Sequence, residues 1–176
     1  MSIEQGLIIT VDAQRRILTD GAIAIQGDRV VGVGKTGEIK PRFRGRKVIN
    51  AKDRVVIPGF IDSHLHLTEG ARGFVPDNIP PIPWIYEWVC PLFACVTPEE
   101  EYLLSKLVLT EALKTGTTTF VEGGTLKYPE AAIQAIEETG IRANLGRWTW
   151  DVPAEPQVFR QTTDQALKAY EDLFAK

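Results

Sequence analysis

The sequence predicts an α/β fold: part of a small β domain over residues 1–57, then from residue 58 the opening of a parallel βα barrel. Three observations predict it. The first fifty-odd residues are short β-branched runs cut by Gly and Asp pairs. Pro58-Gly59 then breaks that pattern. From Phe60 onward, strand-like and helix-like segments alternate as βα-βα-βα, an order that implies parallel strands with right-handed crossovers.

In the first part, Gly6–Val11, Ala22–Gln26, Arg29–Val33, Val48–Asn50 and Val55–Ile57 are predicted as short antiparallel strands. Asp20-Gly21 and Lys52-Asp53 are turn pairs, and Gly27-Asp28 is a two-residue hairpin signal. In the second part, Phe60–Leu65 is a strand leading into a long, proline-rich irregular stretch from Thr68 to Val96. Thr97-Pro98-Glu99-Glu100 is a capping box with proline at the first helical position. The helix it opens runs to about Lys114, with Leu103, Leu104, Leu107, Val108, Glu111 and Leu113 as its largely apolar face, and Gly116 stops it.

Thr117–Glu122 is a β-branched strand, and Pro129 opens a helix that Gly140 ends, with Ala132, Ile133 and Ile136 on one face. Ile141–Arg147 is the third strand, and Thr163 begins a helix through Ala166, Leu167, Tyr170 and Phe174. A full (β/α)8 barrel takes about 250 residues, and roughly 120 remain here, enough for three units. The sequence runs to Lys176 inside a helix without a stop signal, so it is read as a fragment or a truncated product.

Composition excludes several classes. The 176 residues are 44% hydrophobic and 24% charged with net charge −3, ordinary for a soluble globular protein and without a nucleic-acid footprint. Arg42, Arg44, Arg46 and Lys47 form only a short patch that a solvated loop explains as well as a phosphate site. No stretch approaches the roughly 20 apolar residues that span a bilayer, so no membrane partner is expected. With two cysteines, neither needed as a staple, a reducing, cytoplasmic setting is expected.

His64 and His66 are the only histidines. Residues i and i+2 of a strand share a face, so two such imidazoles can converge on one metal ion. The pair also falls at the C-terminal end of the first parallel strand, the end where barrel active sites form. Taken alone, it is also what chance can place at a strand end.

The surrounding run, Val55-Val56-Ile57-Pro58-Gly59-Phe60-Ile61-Asp62-Ser63-His64-Leu65-His66, resembles the signature of the amidohydrolase superfamily. The resemblance implies a metal-dependent hydrolase with a (β/α)8 TIM barrel, flanked by a β-sandwich built from both chain ends. It makes His64 and His66 metal ligands for a divalent ion, zinc before iron. The other ligands and the acid-base glutamate and aspartate are expected beyond Lys176. The implied chemistry is hydrolysis by a water that the ion makes acidic, with a carboxylate moving the proton to the leaving group. Asp62 is expected to hydrogen-bond beneath the pair and not to ligate.

Further segments are similar to the cyclic-amine deaminase and triazine hydrolase branch. These are Pro83-Trp84-Ile85, Val89-Cys90-Pro91-Leu92, Thr97-Pro98-Glu99, Lys114-Thr115-Gly116-Thr117-Thr118-Thr119-Phe120 and Glu138-Thr139-Gly140-Ile141-Arg142-Ala143. That likeness implies deamination or dechlorination of a small N-heterocycle. Trp84 takes the place of a substrate-loop tryptophan, and Arg147 that of a ligand-contacting arginine at the end of strand three. Phe93 stands where adenosine-type members carry a glutamate for ribose hydroxyls, which points away from a nucleoside. Glu122, near the end of strand two, is a further candidate for substrate contact.

Two other readings stay open. A binuclear, cyclic-amide-cleaving enzyme similar to dihydroorotase or imidazolonepropionase shares the histidine strand. A non-catalytic zinc module would use His64, His66, Cys90 and Cys95. The 176 residues alone are expected to bind metal weakly and to turn nothing over, and the full-length form could be a homo-oligomer.

Overall fold

The computed structural model describes residues 1–151 and 160–175. It divides into two compact units, Met1–Pro58 and Gly59–Lys176.

The first unit holds β1 (Ser2–Ile9), β2 (Ile17–Gln26), β3 (Arg29–Lys35), α1 (Thr36–Arg42), β4 (Val48–Asn50) and β5 (Val55–Val56). Strands β1, β2 and β3 form the antiparallel meander, turning at Gly27 with φ +60°. Strands β4 and β5 correct the all-antiparallel expectation, since both run parallel to β1 along one edge. Parallel neighbours need a crossover, and α1 supplies it between β3 and β4. This helix is absent from the sequence reading because Gly37 and Pro41 interrupt its seven residues.

Asp20-Gly21 is not a turn either, since both residues lie within β2. An added Cβ at Gly21 would sit 2.6 Å from Ile8 Cδ1. The missing side chain therefore lets Ile8 pack across the sheet.

The second unit runs β6 (Phe60–Leu65), a 3-10 segment (Leu67–Phe74), α2 (Pro81–Pro83), a π-type turn (Trp84–Val89) and α3 (Cys90–Cys95). It continues with α4 (Pro98–Lys114), β7 (Thr117–Glu122), α5 (Pro129–Thr139), β8 (Arg142–Asn144) and α6 (Thr163–Phe174). The sheet order is β6-β7-β8, parallel throughout. The stretch expected to be irregular is thus largely helical. Pro81 lies in a first turn, where a missing N–H costs no hydrogen bond, and Pro91 sits where the π-type turn passes into α3.

Helix α4 starts as its sequence says. Thr97 Oγ1 accepts from the Glu100 N–H at 3.3 Å, and Glu100 Oε2 accepts from the Thr97 N–H at 2.8 Å. Gly140 closes α5 in the left-handed region at φ +73°. The main core of this unit joins Leu67, Leu109, Phe120, Leu126, Ala132, Ala135 and Ile141 between the sheet and α4–α5.

The buried stripe of α4 differs from the expected one. It is Glu101, Ser105 and Leu109, while Leu103 and Leu107 are more than half exposed. Leucines surround much of this helix, so spacing alone does not select the inward face. On α6, Ala166 is buried but Leu167 and Phe174 are exposed. No described helix is long and apolar enough to cross a membrane.

Candidate metal centre

Strand β6 delivers both histidines to the C-terminal edge of the parallel sheet. His64 Nε2 and His66 Nε2 lie 3.0 Å apart, with ring planes at 85°. Zinc–imidazole bonds of about 2.0–2.1 Å close a triangle on that base with a metal angle near 94°, so the two donors suit one shared ion. Among the described residues, no third His, Cys, Asp or Glu joins them. Asp62 Oδ1 accepts from the His64 N–H at 3.1 Å, which pins the backbone below the pair.

His66 is held from the neighbouring strand. An added Cβ on Gly123 would overlap His66 Cε1, so the imidazole rests against bare backbone. Thr125 Oγ1 is 3.2 Å from His66 Nδ1, and Glu122 Oε1 is 3.7 Å from the same nitrogen. Glu122 raises the pKa of His66 above the ordinary histidine value, partial burial opposes the rise, and Glu69 adds to it. The ring also borders an open cavity of about 450 Å³ together with Asp62, Glu69 and Glu111.

Over residues 55–176 the sequence matches the amidohydrolase family. This chain belongs to that family. A 5-methylthioadenosine/S-adenosylhomocysteine deaminase of Syntrophus aciditrophicus is 31% identical over 150 residues, which are 85% of this chain and 33% of that protein. The deaminase of the same description from Caldicellulosiruptor saccharolyticus is 32% identical over 146 residues, covering 82% and 33%.

Among solved structures, a triazine hydrolase from Arthrobacter aurescens superimposes with TM-score 0.83 at 27% identity, over 99% of this chain and 42% of that one. Guanine deaminase of E. coli gives TM-score 0.85 at 18% identity, over 99% and 43%, and shows the shared fold. The chain spans about a third of the length of the curated relatives it matches. Its three parallel strands and α4–α6 are therefore the first βα units of the amidohydrolase barrel.

Within this amidohydrolase, the other sequence-derived candidates are spread out. Trp84 packs at the edge of a second core of Val75, Val89, Cys90, Phe93 and Trp148. Phe93 is inside that core, 2% exposed and edge-on to Trp148, so its ring offers almost no surface to a ligand. Arg147 does not end strand three, because β8 stops at Asn144. Its guanidinium instead reaches towards the Ala169 carbonyl of α6 at 3.5 Å.

Glu122 is buried, and its oxygens are occupied by the Gly124 and Thr125 N–H groups and the Thr125 hydroxyl. That engagement turns it away from substrate contact in this structure. The zinc module of two histidines and two cysteines is not formed, since no three such side chains converge among the described residues. Burial pushes the Cys90 thiol up to about 11, which opposes the thiolate that zinc needs.

Gly123 and Thr125 escaped the sequence reading. The available signal was Gly123-Gly124 directly after a predicted barrel strand, at the rim where βα loops build sites.

Proposed function

We propose that this chain supplies the first two metal ligands of a hydrolase that removes an amino or chloro group from a small N-heterocycle. The observation that carries the reading is the 3.0 Å approach of His64 Nε2 and His66 Nε2 at the C-terminal end of β6. The 31% identity to a deaminase and the 27% identity to a triazine hydrolase support the reaction class. A bound zinc or iron ion supplies Lewis acidity that makes water nucleophilic near neutral pH. His64 and His66 hold that ion, and Asp62 fixes the strand end that carries them.

The substrate class rests on what Phe93 lacks: at the position where the resemblance sets a ribose-binding glutamate, a buried phenyl ring offers no acceptor for sugar hydroxyls, which favours a heterocycle without them. Trp84 and Arg147 are the residues assigned to its face and edge. On the same reading, residues 1–57 are the N-terminal share of a β-sandwich, and the two free cysteines agree with a reducing, cytoplasmic setting.

The test is zinc titration of the 176-residue chain against a chromophoric chelator. One equivalent bound weakly, with at least a tenfold loss in His64→Ala and in His66→Ala, supports the reading. Wild-type affinity retained in either variant rejects it. Since only two donors converge among the described residues, this chain alone should release neither ammonia nor chloride from amino- or chloro-triazines and aminopurines. Turnover by it would overturn the assignment of the remaining chemistry to other residues.

A further inference from the structure

The loop after β7 carries hydrogen bonds whose proton positions can be worked out by elimination. Glu122 Oε1 lies 2.7 Å from Thr125 Oγ1, and an ionised carboxylate can only accept. The single hydroxyl proton of Thr125 is therefore committed to Glu122. Thr125 Oγ1 has two further neighbours, Thr68 Oγ1 at 3.2 Å and His66 Nδ1 at 3.2 Å. With its proton spent, the oxygen must accept from both.

Thr68 donates its own hydroxyl, and His66 must carry its proton on Nδ1. The other end of the ring agrees. A 3.0 Å contact between two Nε2 atoms needs one N–H, and with His66 protonated at Nδ1 the donor is His64.

Building on the reading of His66 as a metal ligand, we infer that Glu122 acts through Thr125 as a tautomer lock on that ligand. The carboxylate fixes the hydroxyl, the hydroxyl takes the Nδ1 proton, and the Nε2 lone pair is left facing the metal position. The construction is rigid. The Gly124 N–H donates to Glu122 Oε2 at 2.6 Å, the Thr125 N–H donates to the same oxygen at 3.2 Å, and Thr68 is fully buried. Glu122 is thus a positioning residue two hydrogen bonds removed from the ligand, and Thr125 is the piece that touches that ligand.

The isosteric amide gives the decisive variant. In Glu122→Gln the carbonyl can keep the two backbone N–H groups while the amide nitrogen takes the place of Oε1. That nitrogen donates to Thr125 Oγ1, which releases the threonine proton to point at His66 Nδ1. The imidazole proton must then move to Nε2, and His66 can offer that nitrogen to a metal only by changing tautomer against the threonine proton that now faces Nδ1.

The experiment is nitrogen-15 NMR of imidazole-labelled, metal-free chain at a pH where both imidazoles are neutral, with His64→Asn used for assignment. The wild type and Thr125→Ser should hold His66 mainly as the Nδ1–H form. Glu122→Gln and Thr125→Val should shift it mainly to Nε2–H, with zinc affinity lower by roughly ten- to a hundredfold. A wild type found mainly as Nε2–H overturns the inference without any variant. So do unchanged nitrogen shifts in both variants, and so does unchanged zinc affinity after the flip. A chain that holds the Nδ1–H form but binds no zinc supports the lock and removes the metal reading instead.

Discussion

Two buried carboxylates clasp the same six-residue loop from opposite ends, and only one of them reaches the histidines. Glu101, on α4, accepts the Lys127 N–H at 3.2 Å and the Tyr128 N–H at 2.6 Å, just where α5 begins. Glu122, at the end of β7, accepts the Gly124 and Thr125 N–H groups at the loop's start. Both carboxylates are buried, and each accepts from two part-buried backbone donors of the loop. What separates them lies beyond the clasp. Past Glu101, Lys127 Nζ donates to the Ala94 and Val96 carbonyls, a purely structural end. Past Glu122 comes a hydroxyl, and past that the imidazole of His66, proposed here as a metal ligand. Similar local chemistry becomes scaffold or site according to its next neighbour.

Glu101→Leu should break the structural clasp. Two part-buried N–H groups would lose their acceptor, and set against the relief of removing a buried carboxylate the loss should be about 1–2 kcal/mol. Urea unfolding measures it, and His66 nitrogen shifts should stay put. If they move, the two clasps are one unit and the contrast fails.

Gly123→Ala should strike the other side. A methyl that overlaps His66 Cε1 must push the ring aside, so zinc affinity should drop at least tenfold, about 1.4 kcal/mol. Chelator competition would detect it, and full affinity would show that the ring is free to move.

A subtler distinction comes from pH. Burial raises the Glu101 carboxyl above its ordinary value, against the loop N–H groups that lower it. A raised carboxyl contributes stability that is fully present below the unfolded value of 4.5 and is lost as pH rises through the folded value. Wild type should therefore gain stability relative to Glu101→Gln on acidification towards pH 4.5. Parallel urea curves at pH 7 and pH 4.5 check this; a constant difference would mean that Glu101 is not the titrating group.

The smallest effect belongs to the exposed Lys106–Glu138 pair, which Tyr102 also joins. Lys106→Met should leave the unfolding midpoint and zinc affinity unchanged, as solvated ion pairs contribute little. A clear loss would extend the buried scaffold to the helix surface.

Much of this was legible in the sequence wherever the determinant was local. The capping box at Thr97 and Glu100, the stop at Gly140 and the two-residue spacing of His64 and His66 each act within a few residues. The βα-βα-βα order gave the parallel sheet. What escaped depends on partners far along the chain. Thr125 meets His66 across 59 residues, through a strand pairing that sets Leu65 beside Glu122. Gly21 looks like a turn until Ile8 is seen lying on it. The inward stripe of α4 is partly polar, Glu101 and Ser105, so an apolar pattern could not reveal it.

The Leu65–Glu122 pairing has a consequence for engineering. His66 and Glu122 leave neighbouring strands at the same height, so on the proposed reading residues 60–125 hold the imidazole pair and its positioning carboxylate as one transferable cassette. Grafted at the same register onto another parallel sheet, that cassette would bring its proton arrangement with it. A slip of a single residue would turn Glu122 to the opposite face and leave the imidazoles without their guide.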